Sequence, residues 1–279
     1  MRTSPAGKGL LFLTLFISSV LSFGCETDRE ERSYKKAQEY WDQRLYGSAA
    51  EAYEQFALQF PKSEKAASSL CKAATLSSVY LHEYARAVQL YVNLIDRYPS
   101  SPLIKEARLH LAEIYEENLH EYAAAISQYQ ILLWMPNTPK PVMCGYWYRI
   151  GRNHFLMGEL EEARKAYKRI IDDCPKEEDA DRAAYQIGYL RYLQGNWNEA
   201  IVGFGFFLDR FPNSTWTFDA MIHLARSYEK RGEYSRAQSL YRRIIKRFPE
   251  KTEVQDHLRP VKRKPQKTTN RQHGRKKNR

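Results

Sequence analysis

The chain has 279 residues, 28% charged and 43% hydrophobic, with a formal net charge of +11. That charge is unevenly placed. Ten Lys and Arg residues and no acid fall in residues 259–279, and Arg2 and Lys8 open the chain, so the remaining body carries only −1. A basic fold surface is thereby excluded, because the positive character belongs to a tail. Three cysteines besides Cys25 (Cys71, Cys144 and Cys174) form no CxxC pair, which excludes a metal ribbon or dithiol redox motif of that kind. They read as small apolar packing residues, with a Cys144–Cys174 disulfide left open.

Residues 1–24 have the proportions of a secretory signal. Arg2 and Lys8 form a positive start, and Leu10 to Val20 is apolar except for Thr14, Ser18 and Ser19. The run is shorter than the roughly 20 apolar residues of a membrane span. Gly24-Cys25 ends it. A small residue directly before a cysteine resembles the bacterial lipobox, which implies lipidation of Cys25, although Ser22 and Phe23 depart from the usual pattern. The other reading is an ordinary cleaved signal with an incidental cysteine. Under the lipoprotein reading, Glu26 favours the outer over the inner membrane. Residues 25–30 form a short tether.

From there the chain is punctuated by Pro61, Pro99, Pro136, Pro175, Pro212 and Pro249, at intervals of 37 to 39 residues. Each closes the same phrase: an alanine, an aromatic four residues later, then the proline. The pairs are Ala49/Tyr53, Ala87/Tyr91, Ala125/Tyr129, Ala163/Tyr167, Ala200/Phe204 and Ala237/Tyr241. Such a period signals stacked repeats. Residues 214–249 show one unit. Phe218, Ile222, Ala225 and Tyr228 recur at helical spacing, Gly232 marks a turn, and Tyr234 to Ile245 carry a second apolar face. Phe248-Pro249 ends it. Ser63, Ser101, Thr138 and Ser214 stand two residues after a proline, as N-caps of the next helix. The expected architecture is all-α: an α-solenoid of six helical hairpins over residues 31–254, followed by a tail at 255–279.

These residues resemble the tetratricopeptide repeat, whose second-helix alanine, later aromatic and closing proline all match. Twelve residues before the paired alanine lies a small residue, Ala37, Gly151, Gly188 or Ala225, where that family needs close helix crossing. Repeats two and three fit worst there. The resemblance implies a right-handed superhelix with first helices on the inner wall. The links Phe60-Pro61-Lys62-Ser63, Tyr98-Pro99-Ser100-Ser101 and Phe211-Pro212-Asn213-Ser214 narrow the likeness to a periplasmic subclass. That subclass includes the BamD-type outer-membrane assembly lipoproteins and the Tol–Pal-associated coordinator proteins.

That resemblance implies a protein-binding groove. Aligned hairpins place Tyr148, Arg152 and Phe155 of the fourth, and Tyr185, Tyr189 and Tyr192 of the fifth, on the groove wall. Aromatics with interspersed Arg are hot-spot types, suited to an extended peptide or a partner helix. The plainer reading packs each ring between hairpins. No nucleophile–base pair, HExxH or HxxxH arrangement, phosphate loop or dinucleotide fingerprint is present, so neither an enzyme nor a cofactor or metal is expected. The expected role is a lipid-anchored scaffold on the periplasmic face of the outer membrane that binds envelope or barrel-assembly proteins. Other envelope adaptors, serving Tol–Pal constriction, secretin assembly or wall remodelling, are the alternative. The tail is a candidate contact for anionic surfaces, and a nucleic-acid reading rests on it alone.

Overall fold

The computed structural model describes residues 27–250, residue 178 apart. The expectations for the signal segment, for Cys25 and for the basic tail fall outside the described residues. Within them the chain is all-helical, with no strand. Twelve helices pair into six hairpins. They are α1 (residues 27–42), α2 (Tyr46–Gln59), α3 (Ala66–Thr75), α4 (Tyr84–Arg97), α5 (Ile104–Glu113), α6 (Tyr122–Leu133), α7 (Lys140–Leu156), α8 (Leu160–Asp173), α9 (Asp179–Leu193), α10 (Trp197–Arg210), α11 (Thr217–Lys230) and α12 (Tyr234–Arg247). Of the stretch read from the sequence as tether, residues 25–30, the described part 27–30 is helical and belongs to α1. The chain divides into two compact units, residues 1–183 and 184–279, with the boundary inside α9.

The prolines act as helix stops. In five hairpins the second helix ends two residues before Pro61, Pro99, Pro175, Pro212 or Pro249, because the residue before proline is pushed out of the helical region. The serines that follow do something other than the expected capping. Ser63, Ser101 and Ser214 Oγ accept from the backbone N–H two residues on, at 3.1, 3.3 and 3.1 Å, while their helices begin three residues on at Ala66, Ile104 and Thr217. They build the turn that redirects the chain rather than the helix cap itself.

At the opposite end, each hairpin turns through one residue with positive φ, five positions before the paired alanine. These are Arg44, His82, His120, Gly158, Gly195 and Gly232, with φ from 56° to 81°. Three of the six are glycine, which takes this conformation without steric cost. Four turns close with a backbone bond five residues back, as from Glu159 N to His154 O at 2.9 Å. The second and third hairpins reach six residues back instead, Glu83 N to Ser77 O at 2.7 Å and Glu121 N to Tyr115 O at 2.8 Å. Their first helices run into π-helical turns, Leu76–Tyr80 and Ile114–Asn118. Each π turn absorbs one inserted residue. The small residue therefore sits thirteen positions before the paired alanine, at Ala74 and Ala112, both fully buried. This one-residue slip is why these two repeats look irregular in sequence.

In every hairpin the small residue and the second-helix aromatic are both buried, and in the fourth and fifth the two meet directly. Tyr53, Tyr91, Tyr129, Tyr167, Phe204 and Tyr241 are all essentially inaccessible to solvent. Each such ring contributes about 1.5–3 kcal/mol by leaving water. A Cβ added at Gly151 would lie 2.7 Å from Cε1 of Tyr167, and one at Gly188 would lie 2.9 Å from Cδ1 of Phe204. Neither buried ring has room to withdraw. We predict that Gly151→Val lowers stability by about 1–3 kcal/mol, as over-packing does, seen as a lower urea midpoint. An unchanged midpoint would show that the helices do not touch there.

Candidate functional site

In the N-terminal unit a cavity of about 660 Å³ opens on the first helices α1, α3 and α5, lined by Glu39, Trp41, Asp42, Lys72, Thr75 and Glu106 among others. Helical spacing brings these side chains to one face. Lys72 holds the floor. Its Nζ donates to the Tyr34 hydroxyl at 2.7 Å and lies 5.1 Å from the ring centroids of both Tyr34 and Tyr53. Burial works against the ammonium, but the bond to Tyr34 and the neighbouring phenols outweigh it and its pKa is raised. Trp41, 40% exposed, stands at the mouth, 5.7 Å from the rings of Tyr46 and Tyr80. Cys71 also borders the cavity, and burial pushes its thiol up to about 11, so it is protonated and inert at neutral pH.

The structure places Tyr148, Arg152 and Phe155 along one face of α7 in this unit. Tyr148 is buried, 5.5 Å from Tyr167, with the Arg182 guanidinium 4.3 Å over its ring. Arg152 is committed to Glu116, whose side chain is fully buried in the π turn of the third hairpin. Glu116 also accepts from the Tyr129 hydroxyl at 2.8 Å and from Arg149 Nη1 at 3.2 Å. Removing one of these partners would leave the buried carboxylate with a hydrogen bond unmade, which is costly in the interior. Phe155 is half-buried. Cys144 of α7 is joined by a disulfide to Cys174, just after α8, which closes the fourth hairpin.

In the C-terminal unit, Tyr185, Tyr189 and Tyr192 are brought together on α9. Successive rings are nearly parallel, at 11°, with centroids 6.0 and 6.4 Å apart. Tyr185 is buried against Trp216, Phe204 and Phe207, whereas Tyr189 and Tyr192 remain half-exposed. His223 of α11 meets the latter two edge-on, 5.1 Å from each centroid, and its Nδ1–H donates to Asp219 O at 2.8 Å. Sequence reading missed this histidine, the cavity residues of α3 and α5, and Glu116. The slipped register concealed the inner faces of the second and third hairpins. Among the described residues, no group of three or more His, Cys, Asp or Glu side chains could hold a metal ion.

Three family models match the chain. Two tetratricopeptide repeat models cover residues 76–140 and 146–177, and one described as an outer membrane lipoprotein, YfiO, covers residues 177–258. The chain carries tetratricopeptide repeats. Solved structures agree on the repeat fold. MamA protein superposes with a TM-score of 0.53 at 16% identity, over 68% of this chain and 96% of that one. Naa15/Naa10 bound to HypK-THB gives 0.57 at 15% identity, over 82% of this chain and 39% of the other. YrrB, described as a TPR protein with an unusual peptide-binding site, gives 0.50 at 18% identity, over 73% and 97%. At these identities the likeness concerns the repeat fold alone. No curated protein matches the chain.

Burial lowers the pKa of His223 from its ordinary value of 6.5, and Arg226 adds to the effect against the Asp219 carbonyl. The unfolded chain therefore binds the proton more readily, so stability falls as pH drops through 6.5 toward the folded value. We predict that His223→Gln flattens this acid limb in thermal melts of the full chain. A limb of unchanged steepness would contradict the burial of this ring.

Proposed function

We propose that this chain is a lipid-anchored envelope scaffold. It holds other polypeptides on the first-helix faces of its repeats, in the manner of the BamD-type outer-membrane assembly lipoproteins. The observation that carries this reading is the outer membrane lipoprotein match over residues 177–258, in a chain where Gly24-Cys25 follows the apolar run of residues 10–20. The Cys144–Cys174 disulfide supports it, since such bonds persist in oxidising compartments such as the periplasm. By the chain-entropy model a crosslink across that separation is worth about 3–4 kcal/mol.

The chemistry of the two faces suits polypeptide. The α1–α3–α5 cavity offers an aromatic lip at Trp41 and both signs of charge, Lys35 and Lys72 against Glu39, Asp42 and Glu106. An extended segment brings apolar side chains at intervals and backbone polar groups throughout, and such a cavity accommodates both. In the C-terminal unit, Tyr189 and Tyr192 present flat, rigid area that loses little entropy on contact. Tyr185 supports the second of these faces, its ring stacked beside that of Tyr189. The basic tail adds an electrostatic contact to an anionic surface.

Two measurements test the reading. In cells fed radiolabelled palmitate, the wild-type chain is expected to take up label and the Cys25→Ala chain to take up none; equal labelling, or none in either, would remove the anchor. Asp42→Lys places a third cation at the cavity beside Lys35 and Lys72, so capture of the barrel insertase in pulldown should weaken roughly tenfold, about 1.4 kcal/mol, with circular dichroism unchanged. Undiminished capture by this variant would move the site elsewhere. Capture of Pal-type proteins in place of the insertase would favour the constriction adaptors.

A further inference from the structure

We propose that one edge of the N-terminal unit rests on the bilayer, with Trp134 seated at the lipid–water interface. The proposal deepens the lipid-anchored reading above and rests on it. Topology defines the edge. In every hairpin of this unit the first helix starts, and the second ends, at the same end. Side-chain bonds tie these ends into one row. Ser63 Oγ donates to Glu30 at 2.5 Å and Lys65 pairs with Glu31 at 2.6 Å, joining the start of α1 to the first link. Tyr98 donates to Pro61 O at 3.1 Å, joining the first link to the second. Lys105 donates to Thr138 Oγ1 at 3.3 Å, joining the second to the third. Cys25 lies two residues before residue 27, the first described residue of α1. Two residues span at most about 7 Å, so acyl chains on Cys25 bring this end of the hairpins, and not the turn end, to the membrane.

The side chains on the row fit that surroundings. Trp134 is 82% exposed, the most exposed of the large apolar residues in this unit, and Ile131 and Val142 beside it in sequence are also exposed. An indole left in water forfeits its burial. At a headgroup boundary its ring meets acyl carbon while its N–H stays hydrated, which is why Trp collects there. Charge agrees. Residues 28–32, 58–65, 96–105 and 134–140 carry Arg29, Arg32, Lys62, Lys65, Arg97, Lys105 and Lys140 against Asp28, Glu30, Glu31, Glu64 and Asp96. The turn stretches at the opposite end, residues 43–45, 81–83, 119–121 and 157–159, carry Glu83, Glu121 and Glu159 against Arg44. An anionic leaflet attracts the first set and repels the second. The fourth link, Asp172 to Glu177, is acidic, with Asp172, Asp173 and Glu177 against Lys176, and bounds the contact.

The test uses the full chain, purified from membranes and reconstituted into phosphatidylethanolamine–phosphatidylglycerol vesicles whose acyl chains carry bromine, with intact mass reporting the state of Cys25. The chain has five tryptophans, so bromine is expected to quench roughly one fifth of the emission. Trp134→Phe should abolish that quenching, and Trp41→Phe, in the cavity, should leave it. Quenching that survives Trp134→Phe, or its absence in a chain bearing acylated Cys25, overturns the membrane edge while leaving the lipoprotein reading intact. An unmodified Cys25 overturns both. Shielding of Trp134 from acrylamide by an added envelope protein, and not by vesicles, overturns the proposal in favour of a protein contact.

Discussion

The pairing of a buried small residue on the first helix of each hairpin with a buried aromatic ring on the second governs this structure. The ring has no room to move, and the small residue carries at most a methyl group. Together they set how closely the two helices cross, and that distance fixes which side chains stand on the exposed face of the first helix. Three of the core tyrosines also place their hydroxyl on a partner in the interior. Tyr91 meets Thr75 Oγ1 at 3.1 Å, Tyr129 meets Glu116 at 2.8 Å, and Tyr241 meets Glu229 at 3.0 Å. The same ring thus supplies burial and a satisfied polar group, which locks register as well as distance.

That constraint also decides which aromatics remain for other molecules. Tyr148 and Tyr185 are drawn inward by Tyr167 and by the Trp216–Phe204–Phe207 group. Arg152 is held by a buried carboxylate. Of the rings on the proposed binding faces, Trp41 at the α1–α3–α5 cavity and the half-exposed Phe155, Tyr189 and Tyr192 stay reachable. Inner residues make those faces rigid, and outer ones give them chemistry. A partner that meets rigid aromatic area loses less conformational entropy than one meeting mobile chains.

Much of the fold was legible because its determinants are single residues at fixed spacing. Proline stops, paired alanines and the aromatic four residues on all reappear as helix ends and core rings. Gly151 and Gly188 were marked as close-crossing points, and both face a ring at contact distance. The second and third hairpins resisted for a specific reason. Their extra residue is taken up by a π turn, so Ala74 and Ala112, rather than Thr75 and Glu113, occupy the small position. Spacing alone does not show where a helix widens. The site was harder to read than the fold. Groove alignment brought Tyr185, Tyr189 and Tyr192 onto one wall, but burial depends on what a neighbouring helix places above a ring. The ion pair of Arg152 with Glu116 spans 36 positions in the chain, beyond any local pattern.

The first-helix faces must hold polypeptide in the envelope if this chain is a scaffold there. Site-specific photocrosslinking in living cells tests this most directly, with the crosslinker placed in turn at Trp41, at Tyr189 and at Val79, which lies at the turn end and is 58% exposed. Discrete protein adducts from the first two positions, and none from the third, are the predicted result. Adducts from Val79 alone, or none from either first-helix face, would contradict it.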